Sequence, residues 1–173
     1  MRIKTLTILS VLLLFLACKQ EAENSDNTEI EQDHTQLVTE QDVSKLKYIE
    51  YALDSKTEDV IKDWAEYDQL EQLVADIKKG DLKFFRDNEK VVLLLIKELK
   101  QSIPEALNSP SIIARLLVLE TKILKLESLA NLSTTTKDEL LDTIKEFFVA
   151  YYTLTFQMNK KIEFDNRSIE RPE

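Results

Sequence analysis

The chain has 173 residues, of which 32 are acidic and 23 basic, so its formal net charge at pH 7 is −9. Its hydrophobic content of 43 % is that of one ordinary folded domain and excludes both a wholly disordered chain and a membrane protein with several spans. One glycine and three prolines leave little material for tight β-hairpins, so the composition predicts an all-α fold.

The first 17 residues have the pattern of a signal peptide. Arg2 and Lys4 form a short positive region, and a mostly apolar run follows from Leu6 to Ala17. This run is shorter than the roughly 20 apolar residues that a transmembrane helix needs. It ends at Cys18, the only cysteine of the sequence, which therefore has no partner for an intramolecular disulfide or a multi-cysteine metal site.

The residues Phe15-Leu16-Ala17-Cys18 resemble the lipobox of bacterial lipoproteins, with Phe15 where leucine is usual. The resemblance implies cleavage before Cys18 and acylation of that cysteine, and two or more acyl chains hold a protein stably on a membrane. An ordinary secretory signal with a chance cysteine is the alternative. Cleavage removes two of the 23 basic side chains and no acidic one, and this acidity disfavours nucleic acid and anionic lipid headgroups as partners.

Residues 18–36 form an acidic segment in which Ile30 is the only sizeable aliphatic residue. Such a segment buries too little apolar surface to fold, so it is predicted to be a flexible tether. An acidic tract directly after a lipidated cysteine also resembles the export signal of surface lipoproteins in the Bacteroidetes. We therefore expect a lipid-anchored protein of the outer membrane, either on its periplasmic face or on the cell surface.

Residues 37–164 have helical periodicity and predict a bundle of four or five helices. The segment 45–54 is ambiguous between a helix and an extended piece, and helix is favoured. A helix is then predicted from the cap residues Asp54 and Ser55, with Ser55 and Glu58 as a capping box, to Gly80. A second helix is predicted from about Asn88 to about Ser102.

The third predicted helix opens at Ser109-Pro110, because proline at the first helical position loses no hydrogen bond. The polar tract 131–139 interrupts it, and a capping box of Thr136 and Glu139 starts the fourth helix. Residues 165–173 are predicted to be a disordered tail.

Two carboxylates of the third helix, Glu120 and Glu127, are candidate binding residues. At about 100° per residue both fall near the middle of a broad apolar arc, whose members are Ile112, Ile113, Leu116, Leu117, Leu119, Ile123, Leu124 and Leu126. A buried carboxylate needs a partner or a raised pKa, and perturbed carboxylates gather at functional sites. The favoured interpretation pairs Glu120 with a cation such as Arg86 or Lys145 and places Glu127 near a frayed helix end.

The fourth helix carries an aromatic stripe made of Phe147, Phe148, Tyr151, Tyr152 and Phe156. Such a stripe is usually part of a core. Because adjacent residues point about 100° apart, one of each neighbouring pair is expected near the surface, and Phe148 and Tyr152 are the candidate binding residues there.

Three acidic residues of the first predicted helix, Asp59, Asp63 and Glu66, share a face and form a weak candidate for a divalent cation, with a solvated surface as the favoured interpretation. No other metal ligand set is predicted. The only histidine, His34, lies in the predicted tether, and one glycine is too few for a phosphate-binding loop or a nucleophile elbow. The sequence therefore predicts no enzymatic activity and no cofactor.

Beyond its N-terminus the chain resembles small all-helical lipoproteins of flavobacteria, in stretches such as "IPEALNSPSIIARLLVLETKILKLE". The resemblance implies no particular activity. We expect a lipid-anchored helical module that binds or scaffolds a partner protein in the cell envelope. The alternative is a small ligand-carrying protein or a carboxylate-dependent hydrolase that uses Glu120 in a groove of the bundle.

Overall fold

The structure, a computed structural model, describes residues 38–167, and within that range it contains helices and irregular segments but no β-strand. The predicted all-α fold is confirmed. The predicted signal peptide, Cys18 and the tether lie outside the described residues, as does most of the predicted tail. The helices are α1 (Glu40–Val43), α2 (Ser55–Ile61), α3 (Ala65–Lys78), α4 (Glu89–Gln101), α5 (Pro110–Asn131) and α6 (Lys137–Asp165), with 3₁₀ turns at Lys83–Phe85 and Glu105–Leu107.

The two longest helices, α5 and α6, form an antiparallel pair that is the framework of the domain. Only residues 132–136 connect them, and Lys122 and Lys125 of α5 both pair with Glu146 of α6. Two long helices that pack together across so short a connection are antiparallel. Burying one large aliphatic or aromatic side chain stabilises a fold by about 1.5–3 kcal/mol. The two helices bury many, among them Ile112, Leu116, Leu119, Ile123, Ile144, Phe147, Leu154 and Met158.

The apolar arc predicted for α5 is too broad. Ile113 and Leu117 belong to it, yet both side chains are largely exposed. Helices α6 and α4 and the 3₁₀ turn at Lys83–Phe85 pack against α5, and the face that carries Ile113 and Leu117 stays in solvent. The buried stripe is therefore narrower than the sequence suggested.

The helix predicted from Asp54 to Gly80 is broken into α2 and α3 at residues 62–64. Trp64 has non-helical dihedral angles, with φ −95° and ψ 79°. Its indole is buried and donates from Nε1 to Ser102 Oγ at 2.9 Å. The helix start also differs, because the Asp54 side chain accepts the Thr57 N–H at 2.9 Å while Ser55 already lies inside the helix.

The other helix boundaries follow the prediction closely. Helix α4 has Asn88 and Ser102 as its cap residues. Helix α5 begins with Pro110. At the start of α6 the Thr136 side chain accepts the Glu139 N–H at 3.3 Å, and Glu139 Oε2 accepts the Thr136 N–H at 2.9 Å, so the predicted capping box is confirmed.

Gly80 terminates helix α3 from two residues beyond its last helical residue, Lys78, and so acts as the predicted C-terminal cap. Gly80 has φ 78° and donates its N–H to the Ile77 carbonyl at 2.9 Å, while Asp81 donates to the Asp76 carbonyl at 3.0 Å, the pattern of a Schellman motif. A Cβ at this position would lie 2.8 Å from the backbone of Val38 and Thr39. The only glycine therefore ends the helix and also lets the N-terminal segment pack directly on it.

Residues 45–53, here called the strap, are irregular and not helical, so the favoured prediction for this segment is wrong. Leu46 and Tyr48 are partly buried while Lys47 and Ile49 are exposed, which is the alternation of an extended chain. Asn159 of α6 fastens the end of the strap, since its amide donates to the Ala52 carbonyl at 2.8 Å and its oxygen accepts the Asp54 N–H at 3.1 Å. The strap thus lies along α6.

Candidate functional site

Glu120 lies at the edge of the buried face of α5 and forms an ion pair with α4. Lys100 Nζ donates to both carboxylate oxygens, at 2.8 and 2.9 Å. The Lys100 and Glu120 side chains remain 34 % and 24 % exposed. The prediction of a cationic partner from a neighbouring helix is correct, but the partner is Lys100 and neither Arg86 nor Lys145.

Glu127 lies one turn before the end of α5 and helps to hold the residue that fastens this end. Asn131 donates from Nδ2 to Glu127 Oε1 at 2.9 Å and to the Phe85 carbonyl at 2.7 Å. Asn131 Oδ1 accepts the N–H of Asp87, a residue with a left-handed φ of 51°, at 3.0 Å. Glu127 therefore supports the packing of the 3₁₀ turn before α4 on the end of α5.

The aromatic candidates Phe148 and Tyr152 are buried, so the exposed cluster expected there is absent. The strap covers them, because the Tyr48 ring stacks at 4.9 Å from the Phe148 centroid and at 5.7 Å from that of Tyr152. Burial, together with a hydrogen bond to Glu50, raises the pKa of Tyr48 to about 12. Of the predicted stripe, Phe156 alone is exposed.

A polar group closes the rim of this aromatic cluster. Lys78 Nζ donates to both oxygens of Glu50 at 2.9 Å and lies 5.4 Å from the Tyr152 ring centroid. Partial burial disfavours the charge of Lys78, but interactions with Tyr152 and Glu50 outweigh that cost and raise its pKa to about 12. Lys78 is therefore charged at neutral pH and ties the strap to α3.

The predicted cation face does not form. Asp59 lies in α2, Asp63 in the helix break and Glu66 in α3, so the three residues do not share one helix. Glu66 accepts a hydrogen bond from Ser102 Oγ at 2.7 Å. Within residues 38–167 no cluster of three or more acidic, histidine or cysteine side chains is arranged to hold a metal ion.

A groove of about 520 Å³ lies between α5 and α6 and is open to solvent. Val118 of α5 and Val149 of α6 supply its apolar surface and are 44 % and 46 % exposed. Helix α5 contributes Arg115, Val118 and Lys122, and α6 contributes Asp142, Lys145, Glu146, Val149, Ala150 and Thr153.

The charges of this α5/α6 groove are unevenly compensated. Lys122 and Lys125 both donate to Glu146 Oε2, at 3.1 and 2.9 Å, and these hydrogen bonds lower the pKa of Glu146. Arg115 and Lys145 form no ion pair with any carboxylate of residues 38–167. Two cations beside exposed valines can therefore contact a ligand without first losing a partner.

Glu120 does not line the α5/α6 groove. At 100° per residue, Glu120 points about 140–160° away from the three α5 residues that do. Lys100, which forms the ion pair with Glu120, belongs to α4, and α4 packs on a different side of α5 from the groove. The carboxylate singled out by the sequence and the open surface found in the structure are thus separate features.

Part of the signal for the groove is present in the sequence. Arg115 and Lys122 lie off the apolar arc of α5, and Val118 falls between them on the helix surface. The sequence does not indicate that α6 presents Val149 and Lys145 to the same place, because that depends on how the two helices are rotated when they pack.

No helix of residues 38–167 is both long enough and apolar enough to cross a bilayer. Comparisons with protein-family models, with curated proteins and with solved structures give no match for this chain.

Proposed function

We propose that this protein is a lipid-anchored binding module of the bacterial cell envelope, and that its helical domain holds a partner protein in the α5/α6 groove. The observation that carries the proposal is the groove itself, where exposed Val118 and Val149 lie beside two cations, Arg115 and Lys145, that have no ion pair within the described residues. Exposed apolar side chains rimmed by polar ones are typical of interaction sites.

The anchor is inferred from the N-terminal sequence. Phe15-Leu16-Ala17-Cys18 resembles a lipobox, and the acidic residues 19–36 that follow have the composition of a tether. Acyl chains on Cys18 would insert into a membrane and hold the domain close to its surface. We propose that this membrane is the outer membrane of a bacterium that has two membranes. This arrangement suits a module that keeps a partner at the envelope. Nucleic acid is disfavoured as that partner because the chain is strongly acidic.

The alternative function, ligand carriage or hydrolysis through Glu120, has less support. Both oxygens of this carboxylate accept hydrogen bonds from Lys100, so neither is free to act as a base or to bind a ligand without breaking that pair. Glu120 also lies away from the groove. We therefore propose binding without catalysis.

Crosslinking in intact cells of the source bacterium tests the binding function. A photoreactive phenylalanine analogue is placed at Val118 or Val149 in the groove, and at Leu94 of α4 as the control, where the side chain is similarly exposed at 49 %. We expect both groove positions to crosslink to the same protein, and Leu94 not to. The same product at Leu94, or none at the groove positions of a folded protein, would contradict the proposal.

Fractionation and protease treatment of whole cells test the anchor. We expect the protein to partition with membranes and a Cys18→Ala form to lose that partitioning. A Cys18→Ala form that still fractionates with membranes would overturn the lipid anchor. Digestion in whole cells would place the domain on the surface, and protection until the outer membrane is breached would place it in the periplasm.

A further inference from the structure

We infer that the occupant of the α5/α6 groove is an acidic amphipathic helix of the partner protein. This inference rests on the proposed binding function and names the chemistry of the partner.

The shape of the groove fits a helix. Its walls are two antiparallel helices, and on α6 it extends from Asp142 to Thr153, about 16 Å at 1.5 Å per residue. Two packed helices present a channel into which a third can fit at an interaxial distance of about 8–10 Å. The open side of the groove leaves room for such a helix, whereas a small ligand would stay largely in solvent.

The backbone of the groove walls also favours a helix over an extended peptide. Groove residues lie inside α5 and α6, where backbone N–H and C=O groups bond within their own helix. An extended peptide gains affinity by adding backbone hydrogen bonds to an exposed sheet edge, and the described residues contain no strand. A helical peptide satisfies its own backbone groups and needs only side-chain contacts.

The apolar part of the groove determines one face of that helix. Val118 and Val149 come from opposite walls, and the buried Ala150 lies beside Val149. Their side chains are small and leave a shallow apolar surface. Aliphatic residues at i, i+3 and i+7 of the partner helix would cover it, which is the usual spacing in helix-in-groove recognition.

The charges determine the flanks of the partner helix. The groove and its rim carry four cations, Arg115, Lys122, Lys125 and Lys145, against the two carboxylates Asp142 and Glu146. This local excess of positive charge occurs in a chain whose net charge is −9. Because Arg115 and Lys145 have no carboxylate partner within residues 38–167, glutamate or aspartate side chains of the partner can pair with both.

Binding of designed peptides to the full chain in detergent tests the inference. The probe is a fluorescent helical peptide with leucine at i, i+3 and i+7 and glutamate on both flanks, and the control peptide carries lysine in place of glutamate. We expect the acidic peptide to raise fluorescence anisotropy on binding and the basic peptide not to. Equal binding of both peptides, or binding of neither, would overturn the inference.

Two charge-reversed variants locate the contact. The first is Arg115→Glu with Lys145→Glu, and the matched control is Lys90→Glu with Lys97→Glu on α4, which are exposed and form no ion pair within the described residues. Both change the net charge equally. We expect the groove variant to lose about tenfold or more in affinity for the acidic peptide and the control variant to lose much less. An equal loss in both would mean attraction by net charge only.

The two experiments fail independently. Crosslinking at Val118 and Val149 without acidic-peptide binding would retain the binding function and reject the acidic helix as the occupant. Absence of position-specific crosslinking in cells would reject the binding function itself, whatever peptides bind in solution.

Discussion

Glu120 has a structural role that follows from its position at a rim and not in a core. With about a quarter of its side chain exposed and Lys100 on both of its oxygens, the carboxylate is neither isolated nor fully desolvated. Exposed ion pairs contribute about 0–1 kcal/mol, whereas breaking a fully buried pair costs about 3–5 kcal/mol. We therefore expect the pair of Lys100 and Glu120 to contribute an amount of stability near the range for exposed pairs.

Substitution of Glu120 by alanine should therefore lower the free energy of unfolding by about 1 kcal/mol, because Lys100 loses its partner but can still reach water. Urea unfolding of the Glu120→Ala variant measures the change. Glu98→Ala is the control, since Glu98 is exposed on α4 and forms no ion pair within the described range, and it should have almost no effect. A loss of about 3 kcal/mol or more would show that the pair behaves as a buried one.

The strap is the element whose conformation depends most on its neighbours. From Lys47 to Leu53 no backbone-to-backbone hydrogen bond holds it. It is attached by the ring contacts of Tyr48 and Tyr51 with α6, by the pair of Glu50 and Lys78, and by the two hydrogen bonds of Asn159. Leu46 and Leu53 add partly buried side chains that pack on the core. Segments held by few contacts open at lower free energy than the core, so the strap should open without global unfolding.

Replacing Tyr48 by alanine should release the strap and expose Phe148 and Tyr152. We expect a loss of about 2 kcal/mol in stability from the missing ring contacts. Trypsin should then cut faster at Lys47, which is exposed within the strap. Ile49→Ala is the matched control, because that side chain is 68 % exposed and its removal should change neither quantity. Equal cleavage rates in the two variants would mean that Tyr48 does not hold the strap.

At the scale of the whole molecule, a group of buried hydroxyls joins α3 to α6. The Tyr67 hydroxyl lies 3.4 Å from that of Tyr151 and 3.3 Å from Thr155 Oγ1, and Tyr151 also donates to Glu71 at 3.3 Å. Burial raises the pKa of Tyr67 to about 12 and raises that of Tyr151 as well. Both tyrosines are neutral in the folded protein well above the pH at which they ionise in an unfolded chain.

This difference predicts alkaline destabilisation. Folding favours the neutral form of Tyr67, whose ordinary pKa is about 10. The stability that this preference contributes is therefore fully present below about pH 10 and is lost as the pH rises through about 12. For Tyr67 the loss amounts to about 2–3 kcal/mol. Urea unfolding measured from neutral pH to about pH 12 should show this loss. The free energy of unfolding of the Tyr67→Phe variant should fall less steeply with pH than that of the wild type. Identical slopes of unfolding free energy against pH in the two proteins would contradict a raised pKa of Tyr67.

The local rules of helix formation were readable from the sequence wherever a cap or a stripe depends on near neighbours. The capping box at Thr136, the start of α5 at Pro110, the C-terminal cap at Gly80 and the ends of α4 at Asn88 and Ser102 all depend on residues within about a turn of one another. The prediction failed at residues 62–64, because a distant side chain, Ser102, accepts the hydrogen bond of Trp64 and so favours a break there.

The composition and order of residues by themselves determined an all-α domain, most of its helix boundaries and a carboxylate on the apolar face of α5 that needs a cation. Only the tertiary structure decided that Lys100 supplies this cation, that the strap buries Phe148 and Tyr152, and that an open groove combines Val118 with Val149. The physical reason is the range of the interactions. Capping and periodicity act within a few residues, whereas ion pairs, ring stacks and grooves depend on the rotation and distance of helices that are far apart in the chain.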